Sequence, residues 1–439
     1  MSLDDIADWR KSHYASEISA KLDGKKVILM GWMREIRLHG KLAFIVLADR
    51  SGDCQVTVKE DEAGEKLFAK VKNLNREDVI AVKGTVKATK QTKRGAEVLI
   101  SELKLLNVAR SPLPLDVAEK TPALLDTRLD NRVLDLRKPK NLAVFKIRAE
   151  ILRAAREYFA ENSFREIESP KIIATATEGG AELFPVSYYD KAAFLRQSPQ
   201  LYKELMTACF EKVFEIGTVF RAEPSETTRH LSEVTQMDIE MGFATEEDVW
   251  KVFDGLIPHI YSSVKKNCAE ELETLGVDLK VPKSPFRRIS YTDTIKELNK
   301  KGVKLKWGDD IPPEGERAIT EIYKNPVIVY GYPSEMKPFY IAIDEKDSKI
   351  SRGFDLIMHG LEIASGGRRI HDPKMYEARL KAKGLNPENF KEITKFYHLG
   401  MPPHAGWAIG VDRLTEVICG LNNVREAVLF PRDVKRLTP

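Results

Sequence analysis

Neither G-x-G-x-x-G nor G-x-x-x-x-G-K-[ST] occurs in the 439 residues, so a Rossmann crevice and a P-loop are both excluded as nucleotide cradles. Cysteine is scarce. Its four copies, Cys54, Cys209, Cys268 and Cys419, form no C-x-x-C pair, which excludes a disulfide framework and a zinc site and predicts buried free thiols. No apolar run is long enough to span a bilayer, and the N-terminal MSLDDIADWRKSHY carries acids where an export signal needs basic residues. A membrane role is therefore not expected, and a cytoplasmic location is. Excess charge is missing too: 70 basic residues face 66 acidic ones for a net +4. Any nucleic-acid affinity must come from local positive charge. Internal repeats and low-complexity tracts are absent.

The chain is longer than the roughly 250–300 residues at which a single core stops growing, so two or three domains are expected. Between Lys25 and Asn107, five short runs alternate apolar and polar residues and are separated by Gly or Asp/Asn: KKVILMGWMREI, KLAFIVLAD, CQVTVKE, DVIAVKGTVKAT and AEVLISELKLLN. This spacing predicts a small barrel of the OB type over residues 1–107, preceded by an N-terminal helix. Residues 108–141 change character: Pro112, Pro114, Pro122 and Pro139 among many charges read as a hinge.

A strong amphipathic helix then opens a larger domain, 142–439, with Val144, Ile147, Ile151, Leu152, Ala155, Tyr158 and Phe159 at helical spacing. Strands are expected at VFEIGTVF, EVTQMDIEM, PVIVYGY and PFYIAID, and helices near 200–212, 246–266, 315–323 and 374–383. Turns and long insertions between the β-runs favour an α+β fold whose antiparallel sheet is flanked by helices.

Three segments set arginines and carboxylates in or beside apolar β-runs, where an unpaired charge is costly. The first, VFEIGTVFRAEPSETTRHLSEVTQMDIEMGF, holds Arg221, Glu223, Arg229, His230, Glu233 and Asp238; Arg221 and Glu223 are expected on one strand face. A plain salt bridge between those two is an equally good reading. In the second, GFDLIMHGLEIASGGRRIHD, Asp355, Glu362 and Ser365 supply hard oxygen donors suited to Mg²⁺ on phosphate, or else form a solvated strand edge. The third, GWAIGVDRLTEVICG, brackets a strand with Gly406 and Gly410, where a planar base could approach, and starts a helix at Arg413; packing glycines are the alternative.

Together, FRAE, a polar loop, DIE and a later G-x-G-x-D-R with two more residues between the glycines, as GWAIGVDR, resemble the second and third signature motifs of class II aminoacyl-tRNA synthetases. FREIESPKI resembles the first, a dimer-interface motif. The N-terminal barrel and hinge are similar to the anticodon-binding domain and linker of the aspartate, asparagine and lysine subgroup, so the resemblance covers nearly the whole chain. FLRQSPQLYKEL, in particular, resembles the substrate loop of the aspartyl members, in the shorter archaeal or eukaryotic form.

The resemblance implies aspartate activation by ATP with Mg²⁺, transfer to the 3′ end of tRNA(Asp), and a homodimer. Whether tRNA(Asn) is also charged stays open. Arg221 would grip the α-phosphate and the amino-acid carboxylate, and Arg413 the γ-phosphate and adenine. Arg229 and His230 would meet the β,γ-phosphates. Glu223 would meet adenine and the tRNA end, with Asp355, Glu362 and Ser365 as magnesium ligands. Many relatives place an aromatic residue where this chain has Val234, which leaves open what covers the second face of adenine. Lys203 and Arg369 would clamp the aspartate side chain, since an amide would leave two buried cations unpaired. Ser198, Gln200, Gln236, Ser365 and Asp238 would complete the pocket, Asp238 holding the ammonium, and Glu178 would close over it from a loop next to two glycines.

In the barrel, Phe44 would stack on the middle anticodon base and Gln55 would read its edge, with Arg34 facing the first base and KATKQTKRG on phosphates. A core position for Phe44 is the alternative. Three rivals follow from the same residues. One is an asparaginyl enzyme, for which Lys203 is unfavourable. Another is a tRNA-independent asparagine synthetase activating aspartate, for which the barrel is superfluous. The third is a noncatalytic RNA-binding relative, which has no use for Arg221, Arg413, Asp355 and Glu362 together.

Overall fold

Alternating residues between Lys26 and Asn107 build five strands: β1 (Lys26–His39), β2 (Leu42–Asp49), β3 (Gly52–Lys59), β4 (Val79–Ala88) and β5 (Ala96–Asn107). They close into a barrel in the order β1-β2-β3-β5-β4. Inward residues such as Leu29, Ala43, Ile45, Leu47, Val56, Val58, Ile80 and Val82 are all buried in its core. The computed structural model describes residues 2–92, 94–118, 122–174, 183–224 and 227–439. The chain divides into two units, Met1–Pro139 and Lys140–Pro439.

The expected N-terminal helix is not formed. Two 3-10 turns, Ala15–Glu17 and Ala20–Leu22, take its place. The backbone there bonds to the barrel instead, Asp4 N–H to the Leu105 carbonyl and Ser12 N–H to the Ile28 carbonyl, while Trp9, Ala15 and Ile18 are buried. Tertiary partners thus outcompete local helix bonds. Within residues 108–141, Leu125–Asp130 and Arg132–Asp135 are helical, and Arg132 and Asp135 make a buried ion pair at 2.8 Å.

The second unit follows the long helix Pro139–Glu161 with β6 (Arg165–Glu166), β7 (Ile172–Ile173), β8 (Pro185–Tyr188), β9 (Lys191–Leu195), β10 (Lys212–Phe220) and β11 (Glu233–Gly242). After these come β12 (Arg287–Ser290), β13 (Val327–Tyr330), β14 (Gly353–Met358), β15 (Leu361–Arg368) and β16 (His404–Gly410). Eight of them form one sheet, β12-β13-β14-β15-β16-β11-β10-β6, and β7-β9-β8 form a small second one. The large sheet is antiparallel from β13 to β10. Its two edge pairs, β12/β13 and β10/β6, are parallel, because the long connections between those strands return the chain in the same direction.

One sheet face is apolar. Met237, Ile239, Trp407 and Ile409 are buried there with residues of Pro139–Glu161 and of Glu246–Asn267, and Trp407 stacks on Phe253 at 4.5 Å. Thr245 and Asp248 form the capping box that starts the second of these helices. The period of two places Gln236, Asp238 and Glu240 on the opposite face, together with Ala408, Gly406 and Ser365.

Three expectations need correction here. PFYIAID makes only isolated bridges, Ile341 to Arg369 and Ile343 to Ser351, since Pro338 cannot donate a ladder bond. β10 ends at Phe220, so Arg221 and Glu223 lie beyond the strand rather than on its face. Of the cysteines, Cys209 is exposed; burial pushes the thiols of Cys54 and Cys419 to about 12 and that of Cys268 to about 11. Among the described residues, no helix is long and apolar enough to cross a membrane.

Candidate active site

Over the polar sheet face lies a cavity of about 290 Å³. Strand ends and loops bring Arg221, Glu223, Arg229, His230 and Arg413 to one part of its wall, Glu362 and Ser365 to a second, and Ser198, Gln200, Gln236, Asp238 and Arg369 to a third. Lys203 and Asp355 stand behind the wall, both buried. Glu178 lies outside the described residues.

Arg221 Nη1 is 3.8 Å from Glu223 Oε1, and the arginine side chain is 39% exposed. Such a pair is too long for a hydrogen bond and too wet to be a structural bridge, so the guanidinium is available to a guest. Arg413 sits in helix Val411–Cys419 and donates to the Glu362 carbonyl at 2.9 Å. Arg229 is held by Glu316 at 2.8 Å, an acid that the sequence reading did not single out. Burial lowers the pKa of His230, and the charges of Arg413, Arg221 and Arg229 lower it further against the pull of Glu223. The neighbouring motif acid, Asp412, is structural: it pairs with Arg148 at 2.6 Å and accepts from Thr235 N–H at 2.9 Å. Val234 lines the cavity with Leu231 and Val424.

Asp355 and Ser365 are direct cross-strand partners of β14 and β15. Lys337 holds both Asp355 oxygens at 2.7 Å and was not anticipated from sequence; its signal was a lysine flanking PFYIAID. Burial, and next the charge of Asp355, push the Glu362 carboxyl up to about 7. Among the described residues no cluster of three or more acidic, histidine or cysteine ligands occurs. Two carboxylates and a hydroxyl nonetheless fit Mg²⁺, which commonly takes one or two protein carboxylates and completes its shell with phosphate and water.

The raised Glu362 value has a consequence for stability. Its contribution is fully present below the unfolded value of 4.5 and is lost as pH rises through about 7. Glu362→Gln is therefore expected to be more stable than the parent at pH 8, by about 1–3 kcal/mol. The gap should narrow toward pH 5. Thermal melts without ATP or divalent cations check this, and equal melting at pH 8 would show that the carboxylate is not strained.

The pocket floor is built on Glu240, unassigned in the sequence reading although it follows Asp238 at a strand period of two. Arg369 donates to it through Nε at 2.9 Å and Nη2 at 3.2 Å, and Lys203 Nζ stands 3.5 Å away. Lys203 also bonds Asp238 at 2.9 Å and the Trp407 carbonyl at 3.3 Å. The two cations therefore converge, but each already has a carboxylate partner. Asp238, expected to hold a substrate ammonium, spends one oxygen on Lys203. Burial raises its pKa, and Lys203 only partly opposes this. Gln236 Oε1 is buried without a hydrogen-bond partner among the described residues, a second acceptor for an ammonium. Gly406 serves this floor rather than a planar base: a Cβ there would stand 2.2 Å from Glu240 Oε2. Gly217 likewise leaves space for Arg196, whose guanidinium is tied to Glu215 at 2.7 Å.

On the barrel, Phe44 is half-buried on the outer face, between the inward Ala43 and Ile45, and is therefore not a core aromatic. It pairs across strands with Thr57, and Gln55 with Val46, so Phe44 and Gln55 share that face. Glu97 accepts from Gln55 Nε2 at 2.9 Å. Arg34, expected to face the first anticodon base, has protein partners. It falls at a register break in β1 and is bound to Glu77 at 2.8 Å and to the Arg137 carbonyl at 2.8 Å.

Comparison with known proteins agrees with this arrangement. Residues 125–434 match the model of tRNA synthetases class II (D, K and N), and residues 27–106 match that of an OB-fold nucleic acid binding domain. A protein of Methanococcus aeolicus named "Aspartate--tRNA(Asp/Asn) ligase" is 46% identical over 435 residues, 99% of each chain. Its namesake in Methanocaldococcus jannaschii is 46% identical over 432 residues, 98% of this chain and 99% of that one. Among solved structures, asparaginyl-tRNA synthetase from Pyrococcus horikoshii with asparaginyl-adenylate superposes with a TM-score of 0.93 at 35% identity, covering 98% of this chain and 100% of that one. A putative aspartyl-tRNA synthetase from Leishmania major follows at 0.89 and 28%, covering 100% and 97%. With a full-length match on both units and the arginines of both nucleotide motifs around one cavity, the chain belongs to the class II tRNA synthetases of the aspartate, lysine and asparagine group.

Proposed function

We propose that the protein activates L-aspartate with ATP and transfers it to the 3′ end of tRNA(Asp), with tRNA(Asn) as a second acceptor. The carrying observation is the meeting of Lys203 and Arg369 on one buried carboxylate beneath a cavity that also presents Arg221 and Arg413. The names of the full-length relatives support the same reading. Overall shape does not separate aspartate from asparagine, since an asparaginyl enzyme superposes as well as any neighbour described above. The distinction rests on the floor.

In the first step the aspartate α-carboxylate attacks the α-phosphorus and pyrophosphate leaves. Arg221 stabilises charge building on the nonbridging oxygens, and Arg413, Arg229 and His230 hold the triphosphate and adenine. Gln236, Asp238, Ser198, Gln200 and Ser365 orient the amino acid, a task the resemblance to the family also gives to Glu178. In the second step a ribose hydroxyl of the tRNA attacks the acyl carbon and AMP leaves, Glu223 receiving the tRNA end. Asp355, Glu362 and Ser365 would hold Mg²⁺, which when bound neutralises and bends the triphosphate.

Residues 1–107 serve as the anticodon-binding domain, 108–141 as the hinge and 142–439 as the catalytic domain of a cytoplasmic homodimer. Pyrophosphate exchange into ATP tests the first step. It should depend on aspartate, and exchange with asparagine instead would overturn the assignment. Phe44→Ala should weaken tRNA charging about 5- to 100-fold, the stacking energy of one base, and leave exchange unchanged. Measuring both rates on one preparation separates the roles, and equal losses would remove the barrel from anticodon reading.

A further inference from the structure

Behind the pocket floor lies a polar cluster that the two chemical steps leave unused. Glu204, in helix Gln200–Phe210, and His404, which opens β16, are both fully buried. His404 Nδ1 is 2.8 Å from the Pro402 carbonyl oxygen, an atom that only accepts, so this nitrogen carries a hydrogen. The other ring nitrogen, Nε2, stands 3.4 Å from Glu204 Oε2. That oxygen already accepts from the Tyr397 hydroxyl, and Glu204 Oε1 accepts from Gln200 Nε2 at 2.5 Å. A lone pair on Nε2 would face a carboxylate. One proton held between Nε2 and that oxygen removes the conflict, and the pair then carries no net charge.

The surrounding charges make that state consequential. Lys203 and Arg369 are matched by Asp238 and Glu240, so the floor itself is neutral. Glu204 adds one negative charge next to it, coupled to the floor through Gln200, whose Nε2 also lies 3.5 Å from Glu240 Oε2. Burial opposes ionisation of Glu204, but His404, Arg369 and Tyr397 hold it below the usual carboxylate range. His371 also lies near His404; burial and the His404 charge lower its pKa, so it does not compete as the counter-cation. Arg369 N–H donates to the His404 carbonyl at 2.9 Å, which ties the histidine backbone to the clamp.

We propose that His404 is a specificity-determining positioning residue: by sharing a proton with Glu204, it cancels the odd buried charge and lets the floor accept a side-chain carboxylate. With a neutral residue there, the six-group cluster carries one net negative charge and favours a carboxamide guest. The proposal rests on the aspartate reading above.

The test is pyrophosphate exchange with aspartate and with asparagine. His404→Gln should lower the aspartate-to-asparagine ratio of kcat/KM about 10- to 100-fold, almost entirely through KM for aspartate, with KM for ATP unchanged. Adding Glu204→Gln restores neutrality, and the double variant should return to within about threefold of the parent ratio. An unchanged ratio in His404→Gln overturns the proposal, as does a double variant no better than the single one. Should His404→Gln not fold, Glu204→Gln alone decides: it removes the odd buried carboxylate, so its ratio must equal or exceed the parent's, and a fall refutes the charge account. A parent enzyme that shows no exchange with aspartate sinks the functional reading instead.

Discussion

Arg369→Leu is expected to lose aspartate-dependent pyrophosphate exchange by about 10²–10⁴-fold, the effect of truncating one partner of a buried, hydrogen-bonded charge pair. Arg369 is almost wholly buried and makes two bonds to Glu240. Glu240 more than offsets the cost of burying the guanidinium and raises its pKa. Removing Arg369 leaves Glu240 with Lys203, 3.5 Å away, as its cation, and Lys203 is already shared with Asp238, so the floor becomes anionic and repels a second carboxylate. Lys203→Leu should act in the same direction, leaving Asp238 without its cation. Both variants should also melt earlier than the parent, because an unpaired buried carboxylate costs about 3–5 kcal/mol. ATP binding, measured directly, should be retained. Aspartate kinetics unchanged in both variants would refute the clamp.

Arg221→Ala should slow exchange about 10²–10³-fold, as loss of one preorganised donor to a developing oxyanion does, yet leave the melting temperature nearly unchanged. The contrast follows from the surroundings. Arg221 is partly exposed and only loosely paired, 3.8 Å from Glu223, and exposed pairs contribute about 0–1 kcal/mol to stability. Comparing melting with exchange in Arg221→Ala and Arg369→Leu therefore separates a group that serves chemistry alone from one that also holds up the floor. A large loss of stability in Arg221→Ala would mean that the guanidinium is structural.

Periodicity made the barrel strands and the long helix legible, because alternation at period two and apolar spacing near 3.6 are local properties of the chain. PFYIAID was misread because its apolar residues answer to a loop cluster, with Phe339, Tyr340 and Ile341 packed against Tyr376 and Phe390, and not to a ladder. The N-terminal segment was misread because its backbone partners lie far away in sequence. Site residues behaved similarly. Arg221, Glu362 and Arg413 stood out as charges in apolar surroundings, whereas Lys337 and Glu316 gave no local sign of the partners they would take.

What the residue order determined by itself is the inventory: a five-stranded barrel, an α+β unit, and the charged groups set into its β-runs. Tertiary structure decided which of those charges face a guest and which face each other. It brought Glu240 between Lys203 and Arg369, gave Asp355 to Lys337, paired Arg34 with Glu77, and enclosed His404 with Glu204. Pairing of this kind depends on distances across strands and helices remote in sequence, and the cost of leaving a buried charge alone enforces it only once the chain has folded.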